Sequence, residues 1–244
     1  ENAARLDAIM LKPVHDADAL ARILEDSRIT ALCLGPGLGT GEREAGLVAA
    51  ALGLPAAPPT PSPPDGGEGR EAPRLHRRPV VLDADALTIL AKRPDLFAGL
   101  DDRCVLTPHA GEFARLFPYI AERLAAPATR GPAYSKVDAT REAAACAGCT
   151  VLFKGPDTVI ADPAGRCTIN SAHYDRAAPW LATAGSGDVL AGFIAGLLAR
   201  GFPPMQAAEA AAWLHVECAL GFGPGLIAED IPEELPKVFR RLGL

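Results

Sequence analysis

Four short runs along the chain are apolar at almost every position: TALCLG (30–35), PVVLDAD (79–85), CVLTP (104–108) and TVLFKG (150–155). A strand with one wet face alternates apolar and polar residues. A strand covered on both faces does not, so these runs predict strands of a parallel sheet. Amphipathic stretches lie between them. DADALARILEDS (16–27) sets Ala19, Leu20, Ile23 and Leu24 on one helical face. SKVDATREAAACAG (135–148) predicts an alanine-rich helix capped by Ser135. TVIAD and RCTIN flank PAG (163–165), a pattern that predicts a hairpin. The last third is helical. One helix follows Gly187 and ends at Gly201, and a second starts at a first-turn proline and covers 203–221. FGPGLIAEDIPEELPKVFRRL then predicts a loop and short helical turns. The alternation predicts an α/β fold, a layered sandwich with helices on both faces of a mostly parallel sheet.

A chain of 244 residues, 49% of them hydrophobic, can bury one good-sized core, so residues 1–244 are expected to form a single domain. Residues 55–73 break the pattern with seven prolines and three glycines. They predict a disordered surface insertion, with a Pro-rich docking motif as the alternative. The net charge of −6 and the absence of basic runs argue against nucleic-acid binding, and 5% aromatics argue against a base-stacking surface. The most apolar segment, VLAGFIAGLLA (189–199), is about half the length of a membrane span. Its Gly192 and Gly196 are expected to let a buried helix pack closely. Six cysteines lie mostly in apolar stretches, where cysteine acts as a small hydrophobe. Cys146 and Cys149 form a CxxC pair with no second pair to complete a zinc site; the expectation is a buried, inert pair, with a redox motif as the alternative. The setting read from this is reducing and cytoplasmic.

In open α/β sheets, ligands bind at the carboxyl ends of the strands. GPGLGTG (35–41) follows the first run and exposes backbone N–H groups, without the pattern of a Walker or Rossmann loop. Asp83 and Asp85 follow the second. Asp85 is expected to cap a helix, and Asp83 to face a metal or a phosphate. His109 is expected to be exposed at the third strand end, with Glu112 at the start of a helix. Lys154 and Gly155 follow the fourth, where Lys154 either meets a phosphate or is a solvated turn residue. TAGSGDVLAG (183–192) brings two glycines and a serine to a helix start, which attracts anions. Asp188 is itself an anion. A carboxylate beside a bound phosphate is intelligible as a base that takes the proton of an attacking hydroxyl. The competing role is a helix cap.

TAGSGDVLAGFIAGLLARG resembles the GxGD signature of the ribokinase superfamily. More narrowly, the chain resembles the ADP/ATP-dependent NAD(P)H-hydrate dehydratases. LGPGLG, VVLDADAL, LTPHAGEFARL, VLFKGPDTVIADPAG and FGPGLIAEDIPEELP occur in that family's order, from about Ala8 to the C-terminus. The resemblance implies a ribokinase-like three-layer sandwich. It also implies a lyase that repairs hydrated NADH and NADPH: ADP or ATP, with Mg2+, phosphorylates the hydrate's hydroxyl, and phosphate is eliminated. Asp188 is then the base and a substrate contact, and Ala184, Gly185, Ser186 and Gly187 form the anion hole. Lys154, Gly155, Pro156, Asp157, Thr158 and Gly187 contact the nucleotide, while Gly35, Gly37, Gly39 and His109 approach the hydrated dinucleotide. The His109-x-x-Glu112 spacing is similar to the superfamily's NxxE element, which organises magnesium, so Glu112 and Asp83 are metal candidates. A homo-oligomer, and an epimerase domain ahead of this one in a longer parent chain, are compatible with the resemblance.

Two departures stand out. Residues 175–181 read DRAAPWL where relatives carry a GNPG-like stretch, leaving Trp180 as a substitute adenine contact. The opening strand and glycine-containing loop of relatives are missing, so the chain reads as truncated at its amino end. Two rival readings remain: a hydroxyethylthiazole- or hydroxymethylpyrimidine-type kinase with the same Asp188, and a nucleotide-binding fragment without catalysis.

Overall fold

The structure, a computed structural model, describes residues 9–54, 78–129 and 131–244. The expected insertion at 55–73 lies outside the described residues. Six strands form one sheet in the order β1 (Leu32–Leu34), β2 (Val80–Leu82), β3 (Cys104–Leu106), β4 (Thr150–Phe153), β5 (Asp157–Ala161) and β6 (Cys167–Ser171). The first four run parallel, and β5 and β6 continue antiparallel as the expected hairpin. Every residue of β2, β3 and β4 is buried, which is why their sequences do not alternate.

The pleat divides these strands between two cores. Leu82, Leu106, Val151 and Phe153 face α2 (Glu42–Ala51), α3 (Ala84–Lys92), α5 (Ala110–Leu116) and α7 (Lys136–Ala147). Val81, Val105, Leu152 and Ile160 face α8 (Ser186–Ala199) and α9 (Pro204–Phe222). Shorter helices α1 (Ala17–Ile23), α4 (Pro94–Phe97) and α6 (Pro118–Ala125) complete the first layer, and α10 (Asp230–Arg241) packs on α9. The α/β sandwich is as the sequence predicts. So is the Ser135 cap of α7, which accepts from Asp138 N, with Gly148 in the left-handed conformation closing the helix.

Four expectations are corrected. The C-terminal stretch forms one helix, α10, instead of short turns. Pro232 falls in its first turn, where a missing N–H costs nothing, and the break at Pro236 is offset by burying Ile231 and Val238. Gly192 and Gly196 are exposed, and among the described residues a Cβ built on either would meet nothing within 4 Å beyond its chain neighbours and its own helix backbone; α8 packs instead through Leu190, Ala191, Ile194 and Leu198. Asp85 is not a cap. The N-cap position of α3 is Asp83, while Asp85 sits in the first turn and accepts a hydrogen bond from Gly39 N at 2.8 Å. Of the six cysteines, only Cys104, Cys149 and Cys218 are buried, and no disulfide joins any two of them. The CxxC pair straddles the surface of α7: Cys146 points to solvent, and burial pushes the Cys149 thiol well up from its ordinary range.

Candidate active site

The carboxyl ends of β1 to β4 form one rim, and each is followed by a turn that the sequence marks. After β1, Gly35 adopts φ +134°, and a Cβ there would collide with the Asp83 carbonyl. Only glycine lets the β1 and β2 turns approach so closely. After β2, the chain bends sharply into α3. Ala84 takes φ +47°, a left-handed conformation that costs roughly 1–2 kcal/mol in a residue with a Cβ. This strained elbow holds Asp83, whose residue is 1% exposed, at the strand end.

After β3, His109 caps α5. Its Nδ1 accepts from Gly111 N at 2.9 Å and Glu112 N at 3.3 Å, and Glu112 Oε2 accepts in return from His109 N at 2.8 Å. With Nδ1 accepting, the proton of the neutral ring sits on Nε2, and the side chain is 56% exposed. After β4, Lys154 N donates to Pro108 O at 2.8 Å, joining the β3 and β4 ends. Its ammonium lies 2.8 Å from Asp83 Oδ1 and 3.8 Å from Glu112 Oε2. Lys154 is therefore not a solvated turn residue; it is the cation that makes a buried Asp83 tolerable.

The start of α8 closes this rim. Gly185 takes φ +82°, and no side chain caps the helix. Ser186 Oγ turns away to donate to Leu181 O at 2.6 Å. Among the described residues, no hydrogen bond satisfies the N–H of Gly187 or Asp188, which leaves the helix start free to take an anion. A Cβ at Gly187 would lie 3.3 Å from Lys154 Nζ, so the missing side chain lets the ammonium reach this helix end. Asp188 forms no hydrogen bond or ion pair among the described residues, which removes the helix-cap role. Burial, followed by the charge of Asp83, raises its pKa from the ordinary carboxylate value; Lys154 opposes this and Glu112 adds to it.

A cavity of about 410 Å³ opens between the β4–β5 turn and α8. Lys154, Gly155, Pro156 and Thr158 line one side, Ser186 and Gly187 another, and Leu181, Leu190 and Val216 give it apolar walls. Five of the residues expected at the nucleotide thus share one wall system. Asp157 does not line it: its carbonyl is bound by Lys136, and its carboxylate lies 3.6 Å from His173 Nε2. Ala184 and Gly185 lie in the turn just before the cavity. The glycine loop and His109 stand farther along the rim, on the Asp83 side. Trp180 is not in the cavity wall. Its Nε1 donates to Ala219 O at 2.9 Å, so the indole anchors the 177–182 segment to α9. Apolar atoms of Ala177, Ala178, Pro179 and Ala182 form that side instead.

Two site residues gave no sequence signal strong enough to find them. Lys136 opens α7, and His215 lies inside the alanine-rich α9. His215 Nε2 pairs with Ser186 O at 2.8 Å, on the first turn of α8. Burial lowers its pKa from 6.5 to about 4; the Ser186 carbonyl works against this, and Lys154 adds to the lowering. Because the folded pKa lies below the unfolded one, only the unfolded chain gains a proton as pH falls from 6.5 to about 4. Stability is lost through that window, by about 3 kcal/mol in all. Urea titrations over this range should show the loss in the parent and not in His215→Gln, which keeps a donor for Ser186 O. A pH-independent difference between the two would disprove it.

A family model for NAD(P)H-hydrate dehydratase matches residues 66–233. The ADP-dependent (S)-NAD(P)H-hydrate dehydratase of Neisseria meningitidis is 36% identical over 224 residues, covering 88% of this chain and 64% of its own length. The bifunctional NAD(P)H-hydrate repair enzyme Nnr of Mycobacterium tuberculosis is 43% identical over 181 residues, 74% of this chain but 30% of its own length. The chain thus spans less than two thirds of these curated relatives. Among solved structures, the Bacillus subtilis ADP/ATP-dependent NAD(P)H-hydrate dehydratase, co-crystallised with ATP/Mg2+, superposes with a TM-score of 0.62 at 26% identity, over 92% of this chain and 70% of that one. A ribokinase-like superfamily protein of Enterococcus faecalis shares the fold, with a TM-score of 0.66 at 21% identity, over 91% and 66% of the two chains. With the GSGD helix start, the rim and the cavity in the arrangement described, the chain belongs to the NAD(P)H-hydrate dehydratase family and has the ribokinase-like fold.

Proposed function

We propose that this chain carries an ADP-dependent (S)-NAD(P)H-hydrate dehydratase activity. The observation that carries the reading is Asp188: a carboxylate with no hydrogen-bond or ion-pair partner among the described residues, in the first turn of an uncapped helix, beside Lys154 and the cavity. ADP, or ATP in its place, occupies the cavity with its phosphates toward the 154–158 turn and the α8 start. The hydrated dinucleotide lies along the rim, against Gly35, Gly37, Gly39 and His109. Its hydroxyl oxygen attacks the terminal phosphorus while Asp188 takes the proton, and the P–O bond to the remaining nucleotide breaks. From ADP the released nucleotide is AMP. The phosphate ester then loses phosphate as the adjacent ring carbon loses a proton, which restores the reduced nicotinamide.

The raised pKa of Asp188 makes it a stronger base than an ordinary carboxylate. The anion hole at Ala184, Gly185, Ser186 and Gly187, with Lys154, offsets the charge that builds on the phosphoryl oxygens; among the described residues the Gly187 N–H is unbonded there, while the Ser186 N–H already donates to Thr183 O at 3.4 Å. Among the described residues, no group of three or more His, Cys, Asp or Glu is disposed to hold a metal ion. Mg2+ needs only one or two carboxylates when phosphates supply the rest. The site therefore fits a magnesium ion held mainly by the nucleotide phosphates, with Asp83 and Glu112 as the carboxylates that would hold it from the protein side. It would supply further charge neutralisation there.

The test is recovery of absorbance at the reduced-nicotinamide band when hydrated NADH and ADP are added with magnesium. Recovery matched by AMP release supports the reading. A phosphorylated product that accumulates without recovery points to the small-molecule kinase, and nucleotide binding without turnover points to a non-catalytic module. Among the described residues, no helix is long and apolar enough to cross a membrane. We place the activity in the cytoplasm, where reduced dinucleotides and free thiols are kept.

A further inference from the structure

The Lys136 side chain has no evident reason to be where it is. It is the first residue of α7, so its positive charge sits at the positive end of the helix dipole, the unfavourable end. It is half-buried, with its ammonium 4.3 Å from the centre of the Phe153 ring. Burial lowers its pKa to about 8, and Asp157 opposes the shift. Both features cost free energy, so something on the other side must offset them.

What it meets is the turn that walls the cavity. Lys136 Nζ donates to Lys154 O at 3.0 Å and to Asp157 O at 2.6 Å. These carbonyls bracket Gly155 and Pro156. Gly155 takes φ +153°, and a Cβ on it would stand 2.8 Å from the Lys136 ammonium. The turn is thus wrapped around this ammonium, which fills the space a side chain at 155 would need. Two charge-assisted hydrogen bonds, from a side chain that does not itself line the cavity, fix these carbonyls. With those carbonyls fixed, the peptide planes of the turn cannot rotate, and Gly155, Pro156 and Thr158 keep the surface they show to the cavity.

From this geometry we infer that Lys136 is a positioning residue for the nucleotide: it touches no ligand, and sets the shape of the 154–158 turn that does. The inference rests on the reading of the cavity as the nucleotide site. It also separates Lys136 from Lys154, since the first holds the backbone of the turn and the second offers its charge to the site.

The test compares the parent with Lys136→Met, which keeps the stem and removes the ammonium, and with Lys136→Arg, which restores a cation. ADP affinity is measured directly by calorimetry, and hydrogen exchange is followed in the ligand-free proteins. In Lys136→Met, the ADP Kd should rise on the order of tenfold. Exchange should quicken at 155–158 and stay unchanged in β2 and β3. Lys136→Arg should recover part of the affinity, and kcat at saturating ADP should fall far less than KM for ADP rises. An unchanged Kd in Lys136→Met overturns the inference. So does exchange that quickens evenly across the sheet, which marks a merely structural lysine. If the parent itself fails to bind ADP, it is the assignment of the cavity that falls, a result the calorimetry reads separately.

Discussion

Asp188→Asn is expected to lower turnover by about 10²–10⁴-fold, the range typical for losing a general base. The asparagine matches the aspartate in size. Asp188 contributes no cap and no ion pair among the described residues, so removing its charge breaks no hydrogen bond or ion pair there. Three carboxylates, Asp83, Glu112 and Asp188, share the field of Lys154. Taking one away leaves Lys154 freer to attract phosphate, so ADP affinity should hold or tighten while the chemistry fails. Steady-state turnover beside calorimetric ADP binding checks both halves. Near-parental turnover would dismiss Asp188 as the base.

The second large effect concerns Lys154, whose loss should act on stability and binding together. Asp83 is buried, and Lys154 is its partner at 2.8 Å. Lys154→Ala strands that carboxylate, which typically costs about 3–5 kcal/mol. The rise in melting temperature on adding ADP should also vanish, since a ligand stabilises only as far as it binds the folded state. The two consequences come apart in Asp83→Asn/Lys154→Met, where neither charge remains. That double variant should regain most of the stability and still fail to respond to ADP. A full nucleotide response in the double variant would show that Lys154 serves only to neutralise Asp83.

The layered fold was legible because the rule that writes it is local. Strands buried on both faces must be apolar at nearly every position, and β2, β3 and β4 are, with Thr150 the exception. The rim was legible because strand ends in such sheets are followed by chemistry, and Asp83, His109, Glu112 and Lys154 stand there. What could not be read was which group faces which. Asp83 and Lys154 are 71 residues apart, and nothing local says that they pair. The exposure of Gly192 and Gly196 depends on which side of α8 meets the sheet, and an all-round apolar helix does not announce that. Trp180 looked free to stack on a base because its partner, the Ala219 carbonyl, lies 39 residues away on α9. Lys136 and His215 were missed for the same reason. Each acts on a backbone carbonyl of another element, and a carbonyl leaves no mark in a sequence. The one available hint was a lysine at the wrong end of a helix.

The two open glycines of α8 carry a consequence for how this molecule can change. Each lies mid-helix, at a place where a methyl group would meet nothing among the described residues outside its own helix. Glycine in such a place gives up roughly 0.5–1 kcal/mol relative to alanine. The helix that presents Asp188 is therefore held below its attainable rigidity at two positions that touch neither core nor cavity. That is a reserve of tolerance: a lineage that accepts a costly substitution at the rim can recover the loss on the outer face of the same helix, without disturbing a single atom of the site.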